Sequence, residues 1–143
     1  MNWHETRLHR FGVELLLVQE LRRDAIAAIE RSIELGREAR TGLETESLRV
    51  AGLSESLLNA GDREKALQAA EESVRLARER GNEGLLATCY RVLAEALLAG
   101  DGPGKVAAAE EALDKAAAAV EATGLRAELP FIECARQKLV PVA

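Results

Sequence analysis

Residues 50–77 read VAGLSESLLNAGDREKALQAAEESVRLA, and the fold follows from how this stretch divides. Val50, Leu53, Leu57 and Leu58 recur at helical spacing and define one amphipathic helix. Asn59, Ala60, Gly61 and Asp62 are turn formers and stop it. Ala66, Ala70, Val74 and Ala77 then line one face of a second helix, with Glu71, Arg75, Arg78 and Glu79 outside. Glu71 and Arg75 are four apart in the favourable order for an exposed helix face. The stretch is a helical hairpin.

The same division recurs on both sides. Upstream, Asn2 with Glu5 reads as a capping pair. The helix it starts carries Trp3, Leu8, Phe11, Leu15 and Val18 as far as about Gln19. A tight turn at Glu20–Arg22 is expected to lead into a second helix. That one presents Ala25, Ile26, Ile29, Ser32, Ile33, Leu35 and Gly36 as its apolar or small face and ends at Thr41-Gly42. Downstream, Gly81-Asn82 separates the central hairpin from a helix with Leu86, Tyr90, Leu93 and Leu97, which ends at Gly100-Asp101. After the loop 100–104 comes an alanine-rich helix with Ala109, Leu113, Ala116 and Val120, broken at Thr123-Gly124. A last helix spans about Arg126 to Leu139, with Pro130 in its first turn, where proline is tolerated.

These hairpins are in register. Leu15, Leu57 and Leu97 stand 42 and 40 residues apart, as do Phe11, Leu53 and Leu93. Ala25 and Ala66 open the second helices, with Ser32/Ser73, Ile33/Val74 and Glu30/Glu71 following at the same interval. A fixed period of this size marks stacked hairpins, each unable to bury its apolar face alone. The expected fold is all-α: a right-handed α-solenoid of three antiparallel helix hairpins plus a C-terminal helix. It forms one domain over residues 1–143, with repeats at about 3–42, 43–82 and 83–124 and a terminal helix at about 126–139.

Composition agrees. Ala, Leu, Glu and Arg supply 83 of 143 residues, whereas Val, Ile and Thr together number eighteen, too few and too scattered for a sheet. Nineteen basic against twenty-four acidic residues give a net charge of −5, and Arg22-Arg23 is the only adjacent basic pair. That balance argues against a nucleic-acid partner, which needs a clustered basic surface. The longest apolar run near the start, Leu15–Val18, is far short of a membrane span, and Glu5 and Glu14 interrupt a signal-peptide reading. A cytoplasmic protein is expected. Cys89 and Cys134 are isolated and read as small buried apolar residues of a reduced compartment.

The repeat resembles the tetratricopeptide family. In that family's first helix a large apolar residue is followed by Leu and at once a small residue, then by another large one. Val50, Leu53-Ser54 and Leu57 fit, as do Leu8, Phe11-Gly12 and Leu15. The family's second helix is matched by Ala25, Ile29 and Ser32 and by Ala66, Ala70 and Ser73. The period is longer than the family's usual 34, and Arg37 and Arg78 stand where it prefers proline. Long repeats of this kind, with the Glu14–Leu17 stretch, look like the helical arrays of bacterial LuxR-type and adenylate-cyclase-linked ATP-binding regulators. HEAT-like repeats share the period and remain open at the level of fold.

No motif for catalysis emerges. His4 and His9 are five apart and point about 140° from each other, so they miss the zinc-protease spacing. Gly100–Lys105 lacks the first glycine and the hydroxyl of a phosphate loop, having Ala99 and Val106 there. No metal and no cofactor are expected, and the chain reads as a non-enzyme.

What remains is surface. The resemblance implies that the first helix of each pair lines a concave face, placing His9, Val13 and Leu16 there from the first repeat. Leu48, Glu55, Leu58 and Asn59 follow from the second, and Thr88, Arg91, Glu95 and Leu98 from the third. The implied function is a noncatalytic interaction scaffold for a protein or peptide. The alternative is a sensor or regulatory C-terminal segment of a larger bacterial signalling ATPase, transcription regulator or cyclase. Leu16, Leu17 and Val18 in the first helix, with Phe131 and Leu139 near the end, form apolar surface beyond what a single stack needs. They are candidates for self-association, including a homodimer.

Overall fold

The computed structural model describes the backbone of residues 3–139 and the side chains of residues 10 and 12–139. Six α-helices follow one another: α1 (Trp3–Ala39), α2 (Glu46–Asn59), α3 (Arg63–Glu79), α4 (Glu83–Leu98), α5 (Pro103–Thr123) and α6 (Leu129–Gln137). Single 3₁₀ turns at Leu43–Thr45 and Arg126–Glu128 lead into α2 and α6, and no strand occurs among the described residues. The expected start of the first helix at Asn2 lies outside the described residues.

Two of the joints share one construction. After α2, Gly61 adopts φ +86°, its N–H donates to the Leu58 carbonyl at 3.0 Å, and the Asp62 N–H donates to the Leu57 carbonyl at 3.0 Å. After α3, Gly81 takes φ +65° and the Gly81 and Asn82 N–H groups donate to Arg78 and Ala77. Each is a left-handed helix stop that satisfies two otherwise orphaned carbonyls. Asp62 then caps α3, accepting from the Lys65 N–H at 3.2 Å.

The expected turn at Glu20–Arg22 is absent: α1 is one helix of 37 residues, about 55 Å long. Glu20, Leu21, Arg22 and Arg23 include no Gly or Asn to take the left-handed conformation, and all four are good helix formers. The apolar spacing of a hairpin is present there without the residue that would close one. The described residues therefore contain two hairpins, α2–α3 and α4–α5. Residues 24–39 of α1 pack on α2 where the second helix of a preceding pair would stand. α1 ends with Arg40 at φ +53° doing the work that glycine does elsewhere.

The core forms two joined clusters. Ile33 of α1, Val50 and Leu57 of α2, and Ala66, Ala69 and Leu76 of α3 make the first, with Ile26 and Ile29 half-buried against it. The second gathers alanines from α3, α4 and α5 around Val92, Leu113 and Ile132, so that α4 and α5 pack closely. Small side chains let helix axes approach, which is why so alanine-rich a chain still encloses its interior.

Glycine substitutions test this division of roles. Gly52 lies inside α2 with open space where a Cβ would go, so Gly52→Ala should raise stability by roughly 0.5–1 kcal/mol. Gly81→Ala should lower it by about 1–2 kcal/mol, because alanine resists the left-handed stop. Urea denaturation followed by circular dichroism measures both, and equal effects would contradict the assignment.

Candidate functional site

Helical spacing sets Thr88, Arg91 and Glu95 along one side of α4. Arg91, only 6% exposed, is the centre. Its Nε donates to Glu128 Oε2 at 2.9 Å, and its Nη1 lies 3.2 Å from both Glu55 of α2 and Glu95. Thr88 Oγ1 donates to Glu128 Oε1 at 2.8 Å, and the Phe131 ring centroid sits 5.0 Å from the guanidinium carbon. Burial alone would push the Arg91 pKa down; the three carboxylates, Glu128 foremost, outweigh it and hold the group charged. One guanidinium thus ties α2, α4 and the turn before α6 into a continuous face.

Four of the eleven residues expected on the binding face, Glu55, Thr88, Arg91 and Glu95, therefore meet. Thr88 and Arg91 are engaged with their own chain, shaping the face rather than lying free on it. Leu48 and Asn59 are exposed on α2. Asn59 also lines an open groove of about 300 Å³ with Val18, Leu21, Arg22, Ala25 and Ser56. Val13 is exposed on α1, and the side chain of His9 lies outside the described residues. Glu128 was not among the expected residues, and a single glutamate beside a helix start gives no local signal of its partner 37 positions away.

A second ionic centre joins α1 to the hairpins. Glu46, 1% exposed, accepts from Arg37 of α1 and lies 2.7 Å from Arg80 Nη2 after α3. Arg80 also donates to the Leu43 carbonyl and Asn82 Nδ2 to the Glu44 carbonyl at 2.9 Å, so the α1–α2 connection is clasped by the α3–α4 turn. Burial pulls the Glu46 pKa upward, but the hydrogen bonds from Arg37 and Arg80 prevail and set it below the usual carboxylate value. Arg37, standing where tetratricopeptide repeats prefer proline, has this structural use.

Of the two cysteines, Cys89 is buried, and burial pushes its thiol pKa up, away from reactivity. Cys134 is exposed, contrary to expectation, because α6 buries Ile132 and Ala135 instead. Among the described residues no group of three or more His, Cys, Asp or Glu is placed to hold a metal ion. No helix among them is long and apolar enough to cross a membrane.

The apolar surface is concentrated on α1. Val13, Leu15, Leu16, Leu17, Val18 and Leu21 are all exposed, Leu16 to 63%. Phe131 is exposed beside Arg91. Leu139 differs from expectation: it is half-buried against the α4–α5–α6 core, so it is part of the chain's own packing.

Paired helices in series, with a face assembled from successive members, define a helical-repeat protein. The family model described as anaphase-promoting complex subunit 5 matches residues 4–45 and 39–98. Together the matches span residues 4–98, 95 of the 143, and the chain belongs to this family of helical repeats. The match bears on the repeat and not on the narrower likeness to bacterial LuxR-type regulators. Neither curated proteins nor solved structures give a match.

Arg91→Gln should destabilise the fold by about 3 kcal/mol, because Glu128 and its neighbours lose their counter-charge in a buried setting. Chemical denaturation checks this, and a change below about 0.5 kcal/mol would contradict the central role. Glu46→Gln should cost about 2 kcal/mol at pH 7. Since the folded pKa of Glu46 is lowered, its contribution is present above the unfolded value of 4.5 and is lost as pH falls through the folded value. The gap between wild type and Glu46→Gln should therefore narrow in acid, read from denaturation midpoints at pH 7 and about pH 3.

Proposed function

We propose that the chain is a noncatalytic protein–protein interaction module and that it receives a protein partner on the face shared by α2, α4 and the turn before α6. The observation that carries this reading is the family match, whose second segment, residues 39–98, covers α2, α3 and α4. That family is described as a subunit of a complex, so its members work by contact with other chains. The face has the character such work requires: Arg91 holds its shape, while Leu48 and Asn59 stand outward and Glu55 keeps much of its carboxylate open to water. No bond is made or broken. The Cys89 thiol is buried, and among the described residues no group of three or more His, Cys, Asp or Glu is placed to hold a metal ion.

A photo-crosslinking residue placed at Leu48 or Asn59 should capture a defined protein in cells, while the same residue at Glu110 on α5 should not. Capture from Glu110 alone, or from none of the three positions, would contradict the proposed face. The fold tolerates these substitutions because Leu48, Asn59 and Glu110 are all exposed.

A further inference from the structure

α1 is held to the rest of the chain along one short stripe. Residues 12–25 are all exposed, and from there to Ala39 only Ile26, Ile29, Ile33 and Gly36 are covered in part or in full. The three isoleucines pack on the cluster that holds Val50, Leu57 and Ala69. Gly36 lies against Arg49 of α2, so close that a Cβ would stand 3.0 Å from Nη2. Between α1 and α3 runs an open groove of about 460 Å³, with Glu30 and Glu34 on one wall and Gln68 on the other. The connection to α2 is divided as sharply. The carbonyls of Gly42, Leu43 and Glu44 are each held by a side chain of the following elements: Arg49 Nη2 at 2.9 Å, Arg80, and Asn82 Nδ2 at 2.9 Å. Between these pinned residues and the last turn of α1 stand Arg40 and Thr41, with Arg40 at φ +53° and Gly42 at φ +63°. Two left-handed positions around one residue form a joint of the kind that absorbs a hinge motion.

The ion pair that crosses this joint runs from Arg37, half-exposed, to Glu46, which is 1% exposed and also lies 2.7 Å from Arg80 Nη2. When Arg37 leaves, Glu46 keeps Arg80, so the tie opens without stranding a buried charge. The remaining helices are bound differently: α3 packs between α2 and α4, α4 packs on α5, and Arg91 ties α2 and α4 to Glu128. Elements that share few buried contacts with their neighbours open separately from the rest. We propose that α1 is a hinged arm that swings as a unit about Arg40–Thr41, latched by the Arg37–Glu46 pair, while α2–α6 stay folded. Closed, the arm covers the apolar side of α2 formed by Val50, Leu53 and Leu57. Open, it presents that side to water. At about 100° per residue these three lie on the side of α2 away from Leu48, Glu55 and Asn59, so the arm governs a second face of the same helix.

The test reads two intrachain distances in the full chain, by pulsed electron resonance in a Cys134→Ser background with labelled chains diluted by unlabelled ones. Spin labels at Glu34→Cys and Gln68→Cys stand on opposite walls of the groove between α1 and α3. Labels at Glu71→Cys and Glu111→Cys line the corresponding groove between α3 and α5. With Arg37 in place each pair should give a single short distance. Arg37→Gln should add a longer distance to the first pair, in more than about 10% of the molecules, and leave the second pair unchanged. Broadening of both pairs together would show the chain opening as one body and would overturn the proposal. So would a first pair that keeps its single short distance in Arg37→Gln, since the ion pair would then latch nothing.

Discussion

The returns after α2 and after α3 each depend on a residue that adopts the left-handed backbone conformation at little cost. Gly61 and Gly81 provide it, and each is followed by an N-cap residue, Asp62 or Asn82, from which the next helix departs. At Glu20–Arg23 no such residue exists, and the helix keeps going for 37 residues. One local rule therefore decides how many hairpins form, which faces are covered and which stay open. The exposed leucines of α1 are its direct consequence, because the half-helix that would have shielded them has been carried away along the helix axis.

Packing alone would leave such a chain loosely specified. Its interior is built largely from alanine, which brings helices close but buries little apolar area per contact. Two charged centres supply the missing definition. Glu46, between Arg37 and Arg80, sets the angle at which α1 enters the stack, and Arg91, among Glu55, Glu95 and Glu128, binds successive helices into one face. A buried charge is tolerable only with its partners in place, so these centres penalise alternative arrangements. The positions where a tetratricopeptide-like pattern departs from its family, Arg37 among them, are thus not idle.

The helix boundaries at 59–62, 79–82, 98–103 and 123–124 were legible because glycine, asparagine and proline mark them through backbone preference. The apolar spacing around Glu20–Arg22 suggests a break that the backbone does not make. Apolar spacing records which residues an ancestral or ideal hairpin would bury, whereas a turn forms only if some residue can make it. The alignment of Leu15 with Leu57 was sound as pattern and silent on geometry. Of the candidate face, Arg91, Thr88, Glu55 and Glu95 could be placed by register, but their mutual engagement could not. Glu46 and Glu128 are two of twenty glutamates, and nothing within a few residues of either separates them from the solvated ones. Long-range charge pairing leaves no periodic trace.

The continuity of α1 is tested most directly by a distance between spin labels at Arg10 and Arg31, measured by pulsed electron resonance in a Cys134→Ser background. Labelled chains are diluted with unlabelled ones so that only intrachain distances register. An unbroken helix gives about 32 Å between the two backbone positions, the rise over 21 residues. A hairpin closed at Glu20–Arg22 would bring the labels to about 10 Å, the spacing of packed helices, and that result would contradict the account.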